Sequence, residues 1–160
     1  MAFQESPNAG ATRYLSLGVF IAVVLGGGLL IGLVNTPGDW YASLVKPSFN
    51  PPNWLFGPVW SALYVLIAFA GWRTWRRNRD GIAMKVWFAQ LGLNFLWPPV
   101  FFGAHLLGAG LLVIATLFMM ILGFISLSWL RDHAAAWAFL PYAAWVAFAT
   151  LLNAALWWLN

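Results

Sequence analysis

Five long, predominantly apolar runs, at 14–34, 55–72, 82–103, 106–130 and 134–159, constrain this chain more than any other feature. A helix rising 1.5 Å per residue needs about 20 residues to cross the hydrocarbon of a bilayer, and each run is near or above that length. Lys85 lies close enough to the start of the third run for its stem to stay in hydrocarbon while the ammonium reaches the headgroups. The runs are continuous and do not alternate apolar with polar, which is the pattern of helices and not of a membrane β-barrel. Composition agrees, with 62% of residues hydrophobic and 8% charged, against roughly 25% charged in soluble domains. The expected fold is an all-α integral membrane protein, a bundle of five transmembrane helices with a long structured loop between helices 1 and 2.

Residues 13–160 read as a single five-helix transmembrane domain, without an internal repeat or a low-complexity tract, and residues 1–12 as a polar, disordered tail. The first run exceeds the 7 to 15 residues of a signal-peptide core, and the following "VNTPGDW" offers no small-x-small cleavage site, so the run is expected to stay as a span. All four acidic residues, Glu5, Asp39, Asp80 and Asp132, fall outside the runs, which leaves no intramembrane carboxylate for a proton-coupled pump. There is no cysteine, and His105 and His133 belong at opposite membrane faces, so no metal site and no hydrolytic triad can be assembled.

The stretch "DWYASLVKPSFNPPNWLFGPVW" (39–60) opens the second run. Residues 35–53 exceed the roughly 12 to 15 residues at which an unstructured loop usually has a functional reason. Pro37, Pro47, Pro51 and Pro52 fix φ and stiffen this segment, while Trp40, Tyr41, Phe49 and Trp54 supply apolar area with polar tips. A stiff aromatic segment at the membrane surface suits a lid over the mouth of the bundle.

Three runs carry polar or indole side chains at helical spacing. Gln90, Asn94 and Trp97 share one face of the third, Trp145, Ala149 and Asn153 one face of the fifth, and Trp60 and Tyr64 are one turn apart in the second. Counting about 1.5 Å per residue from the outer ends puts Trp60, Trp97 and Asn153 at similar depth, Asn94 deeper and Trp145 near mid-membrane. Pro98, Pro99 and Pro141 withhold helical partners from the carbonyls of Asn94, Phe95 and Trp137. Amides and indoles at matched depth predict one outer-half cavity beneath the loop, although each amide taken singly equally suits interhelical hydrogen bonding. Gly28 and Gly32 form a small-xxx-small pair in the first run, expected to admit a close neighbour, within the chain before a second copy.

The segments "WYASLVKPSFNPPNWLFGPVWSALY", "QLGLNFLWPPVFFGA" and "LPYAAWVAFATLLNAALW" together resemble the TspO/MBR family of tryptophan-rich sensory proteins, translocator proteins and peripheral-type benzodiazepine receptors, over about residues 40–158. The resemblance implies a five-helix bundle in a bacterial membrane, commonly a homodimer. It also implies a receptor or translocator for porphyrins such as protoporphyrin and haem, serving tetrapyrrole or stress regulation, with benzodiazepine-type compounds as further ligands. Porphyrin or haem would be a ligand, and no cofactor is required. Carried over position by position, the family's site residues are Tyr41 of "WY", Pro51 of "NPP", Trp60 of "PVW", Asn94 of "LN", and Trp145 and Ala149 of "PYxxWxxFA". With the depth argument, the candidate ligand-binding set is Tyr41, Pro51, Trp60, Tyr64, Asn94, Trp97, Trp145, Ala149 and Asn153. The alternative class is enzyme-like, light- or oxygen-dependent porphyrin degradation, in which Trp60 and Trp145 would be the redox participants. Vertebrate members carry a sterol-recognition pattern in the last helix that needs a tyrosine and a basic residue; Ala154 and Trp158 stand there instead, so sterol binding by that route is not expected.

Of the eight basic residues, Arg13, Arg73, Arg76, Arg77, Arg79, Lys85 and Arg131 fall in segments that five spans place on one side, and Lys46 alone falls opposite. This bias reads as a topology signal in contact with anionic lipid and not as a nucleic-acid face. For insertion in an inner membrane it predicts a cytoplasmic N-terminus and an external C-terminus. A C-terminal tag is then accessible from outside, and a cysteine placed at Asn78 resists an impermeant thiol reagent added there; the reverse labelling pattern refutes the orientation.

Overall fold

The computed structural model describes the backbone of residues 7–160 and the side chains of residues 14–160. The elements in chain order are α1 (Pro7–Val34), α2 (Asp39–Ser43), a 3-10 turn (Asn53–Leu55), α3 (Phe56–Asn78), α4 (Ile82–Pro98), a π turn (Pro99–Gly103), α5 (Leu107–Trp129) and α6 (His133–Leu159). Among the described residues there is no strand. Tyr14–Val34, Asn53–Asn78, Leu107–Trp129 and His133–Leu159 are long and apolar enough to cross a membrane. Helix α4 has 17 residues. The apolar run 82–103 is divided at Pro98 and Pro99, where the missing amides shift the backbone to wider pairing, with Ala104 N–H on the Pro99 carbonyl at 2.8 Å and Leu106 N–H on Val100 at 3.2 Å.

Of the N-terminal twelve residues, 7–12 are helical in backbone, and residues 1–6 lie outside the described residues. Pro7 occupies the first helical position, where its fixed φ suits the helix and its missing N–H is no loss. At the other end Asn35 closes α1 by giving both its backbone and side-chain N–H to the Ile31 carbonyl, at 3.0 and 2.9 Å, two residues before Pro37.

The long helices close a ring: α1 packs on α3, α3 on α6, α6 on α5, α5 on α4, and α4 back on α1. Ile67, Met84, Trp87, Ile114, Leu117, Phe124, Phe139, Tyr142 and Val146 fill its centre. The Trp87 indole lies against Gly71, where any Cβ would collide with it, and donates to the Ile67 carbonyl at 3.0 Å. Phe124 and Phe139 join α5 to α6 with ring centroids 4.1 Å apart. Outward-facing Val19, Leu30, Leu112, Met119 and Leu151 are exposed, as they should be where the surrounding solvent is lipid.

The basic end is held by Asp132, which is 5% exposed and caps α6 by accepting from Ala135 N–H at 3.3 Å. The Arg73 Nε donates to both its carboxylate oxygens at 3.0 Å, and Arg77 pairs with it at 2.9 Å. Burial alone would raise the Asp132 pKa. The hydrogen bonds from Arg73 and Ala135 and the charges of Arg73 and Arg77 outweigh it, so the carboxyl is held below the ordinary range.

Asp132→Ala is expected to cost about 2 to 3 kcal/mol, and Asp132→Asn about 1 kcal/mol less than that, because asparagine still caps the helix. Since the folded pKa lies below the unfolded one, the carboxylate's contribution is full above the ordinary carboxylate range and is lost as pH falls through the depressed value. Thermal unfolding in detergent between neutral and acidic pH checks this: wild type loses the advantage over Asp132→Ala only at the acidic end.

Candidate ligand-binding cavity

Inside the ring, at the end opposite the arginines, is a cavity of about 320 Å³. Its mouth is formed by Asn35 and Pro37 after α1 and by Asn53, Phe56 and Gly57 where α3 begins. Its walls come from all five long helices: Gly28 and Gly32 of α1, Trp60 and Tyr64 of α3, Asn94, Trp97 and Pro98 of α4, Ile114 and Leu117 of α5, and Trp145 and Ala149 of α6. The lining is predominantly aromatic and aliphatic with few polar groups, the usual chemistry of a small-molecule site.

Each aromatic wall is placed by a neighbour. Trp60 and Tyr64, one turn apart, sit with centroids at 5.4 Å, and Trp60 also meets Tyr142 edge-on at 6.2 Å. Trp97 stacks on Phe101 at 4.9 Å and donates its indole N–H to Asn153 Oδ1 at 3.1 Å. Trp145 is held by Phe56 and Phe148 at 5.9 and 5.7 Å. Its Nε1 is buried and has no hydrogen-bond partner among the described residues. An unpaired buried donor carries a desolvation cost of about 1 to 3 kcal/mol.

Of the nine candidate residues, Trp60, Tyr64, Asn94, Trp97, Trp145 and Ala149 are brought together around this space, while Tyr41, Pro51 and Asn153 are not among its lining. Asn153 stands behind Trp97 and donates to the Leu107 carbonyl at 3.5 Å. Tyr41 is buried in a second cluster, against Phe101 and Phe102, with its hydroxyl on Asn50 Oδ1 at 2.9 Å. Burial pushes that hydroxyl above its ordinary pKa, so it remains a donor. The Pro51 carbonyl accepts from Asn50 Nδ2 at 3.0 Å in the same turn.

The segment between α1 and α3 is therefore tied down along its length. Trp40 stacks on His105 at 4.2 Å, Phe49 meets Phe148 at 6.3 Å, and the Asn160 side chain pairs with both backbone groups of Val45, at 2.9 and 3.1 Å. Lys46 Nζ reaches back to the Ala42 and Leu44 carbonyls. His105 adopts a φ of 60° to turn the chain from the π turn into α5, a conformation histidine tolerates better than most residues.

One contributor escaped sequence reasoning. Tyr142 lies behind the wall and links Asn94 Nδ2 at 2.8 Å to Gln90 Oε1 at 3.0 Å. Its position three residues before Trp145 on α6 was the available signal. Gly28, of the small-xxx-small pair, does admit a close neighbour: a Cβ there would run into the Tyr64 ring, so the glycine sets how closely α1 approaches α3.

An all-helical membrane protein enclosing an aromatic cavity beneath a tethered surface segment is the class these features define. Among known proteins, the TspO/MBR family profile matches residues 20–159. The chain is 39% identical over 138 residues to protein CrtK of Rhodobacter capsulatus, covering 81% of this chain and 83% of that one. It is 41% identical over 124 residues to the tryptophan-rich protein TspO of Archaeoglobus fulgidus, covering 76% and 80%. It is 35% identical over 159 residues to the human translocator protein, covering 94% and 88%. The chain belongs to the TspO/MBR family.

The two glycines of α1 separate packing from space. Gly28→Ala forces a methyl into the Tyr64 ring and is expected to cost about 1 to 3 kcal/mol. Gly32→Ala meets nothing within 4 Å and should be neutral or stabilising, by up to about 1 kcal/mol from helix propensity. Thermal melts of the two purified variants check the contrast.

Proposed function

We propose that this protein is a membrane receptor or translocator for porphyrins and other flat hydrophobic molecules, bound in the cavity below the segment joining α1 to α3. One observation carries the reading: side chains from five helices converge on a single aromatic space walled by Trp60, Trp97 and Trp145. A volume of about 320 Å³ falls at the lower end of the range for small-molecule sites, roughly 300 to 1,000 Å³. It suits a flat macrocycle entering edge-first, its rings between Trp60, Trp97 and Trp145 and its carboxylates at the polar mouth of Asn35 and Asn53.

In this reading α4 and its π turn together complete a fifth span, and the mouth opens on the face opposite the arginine cluster. The irregular backbone after Pro98 is tolerable at membrane depth because it borders the cavity and is packed by Phe101 and Trp97.

Trp60→Phe and Trp145→Phe are each expected to weaken protoporphyrin binding by about three- to tenfold while leaving the protein folded, each through loss of indole stacking area. Fluorescence-quenching titrations measure the affinities, and absorption spectra of the recovered porphyrin separate a binder, which returns it unchanged, from an enzyme, which does not. Wild-type affinity in both variants overturns the assignment of the cavity.

A further inference from the structure

From the cavity wall inward, four polar side chains form a chain with a direction. Tyr64 donates its hydroxyl to Asn94 Oδ1 at 3.2 Å, Asn94 Nδ2 donates to the Tyr142 oxygen at 2.8 Å, and Tyr142 donates to Gln90 Oε1 at 3.0 Å. All four are buried, Gln90 and Tyr142 at 0% exposure. At the near end Tyr64 and Asn94 both line the cavity. At the far end the Gln90 Nε2 is buried and has no partner among the described residues, and Gln90 itself does not line the cavity.

A carboxamide with oxygen and nitrogen exchanged keeps nearly the same shape, and a hydroxyl both donates and accepts. The same three contacts can therefore run the other way, with Gln90 Nε2 donating to Tyr142, Tyr142 to Asn94 Oδ1, and Asn94 Nδ2 to the Tyr64 oxygen. In the direction seen, the Tyr64 proton is committed to Asn94, and the hydroxyl offers the cavity only lone pairs. In the reverse direction Tyr64 offers the cavity its O–H, and the Gln90 nitrogen gains the acceptor it lacks. No contact is lost on reversal, so a ligand that bonds to Tyr64 selects the direction by its differential affinity for the two states.

We propose that the Tyr64–Asn94–Tyr142–Gln90 chain is a reversible hydrogen-bond relay that sets whether the cavity wall presents an acceptor or a donor, with Gln90 as a specificity-determining residue that never touches the ligand. The inference rests on the cavity reading above and adds the ligand class: flat apolar molecules with one edge heteroatom, of either hydrogen-bonding sense.

Replacing Gln90 gives the idea a direction. In Gln90→Leu the direction seen now would leave a buried Tyr142 O–H without an acceptor, whereas the reverse direction satisfies it on Asn94 and strands only a lone pair, which is cheaper. The variant should thus hold Tyr64 as a donor. Four probes read this: acridine, whose ring nitrogen accepts, against its hydrocarbon anthracene, and carbazole, whose N–H donates, against its hydrocarbon fluorene, all at a pH where acridine is unprotonated. Quenching titrations on the full chain in detergent are expected to shift the preference, each heteroatom probe referenced to its hydrocarbon, about three- to tenfold toward acridine in Gln90→Leu. Anthracene and fluorene should bind as to wild type, and adding Tyr64→Phe should abolish the shift. Gln90→Met is the second variant should leucine not fold. On the unmodified protein, the tyrosine C–O stretching band should move in opposite directions with acridine and with carbazole. An unchanged preference in a folded Gln90 variant, a shift that survives Tyr64→Phe, a common change in all four affinities, or infrared shifts of the same sign would overturn the relay. If wild type binds none of the probes, or binds them unchanged when Trp60 and Trp145 are both phenylalanine, the cavity reading fails and the relay fails with it.

Discussion

A backbone in hydrocarbon has no water to satisfy its amides and carbonyls, and the rest of this architecture follows from that constraint. It requires helices wherever the chain is apolar, and it confines irregular backbone to places where protein or a cavity surrounds it. The departure at Pro99–Gly103 obeys the second condition: the wider π pairing re-satisfies the amides of Ala104 and Leu106, and Phe101 is buried against Tyr41 and Trp97. The two prolines thus convert what would be a plain helix end into a platform on which the outer segment docks.

That platform explains why the aromatic stretch between α1 and α3 is so rich in rings and prolines. Trp40 is fixed on His105, Tyr41 on Phe101 and Phe102, Phe49 on Phe148, and Val45 on Asn160. These contacts reach the π turn and the far end of α6, so the segment bridges the top of the ring. Its ends, at Asn35, Pro37 and Asn53, form the mouth, while its middle is spent on anchoring. Prolines in such a strap reduce the conformations lost on ordering it.

Polar side chains inside the ring divide between two tasks. Asn153 and Trp97 satisfy each other and fix one wall. Tyr64, Asn94, Tyr142 and Gln90 form a continuous chain from the wall into the core, with a buried nitrogen at its end. Networks of this kind order their members strongly, and a partly satisfied one is where a second arrangement of similar energy arises.

Much of this was legible without coordinates. Run length and the continuity of apolar residues determined the helices, the clustered arginines determined the charge asymmetry, and helical period put Trp60 with Tyr64, Asn94 with Trp97 and Trp145 with Ala149. Those pairs do meet around one space. Period assigns a residue to a face but does not say which helix that face meets. Gln90 and Asn153 share faces with cavity residues, yet one turns into the core and the other braces an indole from behind. Tyr41 likewise goes to Phe101, outside the cavity lining, because the π turn brings that ring under α2. Which neighbour each face meets was decided by the ring order and by close approaches such as Gly28 on Tyr64 and Gly71 on Trp87, contacts between residues far apart in the chain whose geometry emerges only when all five helices pack at once.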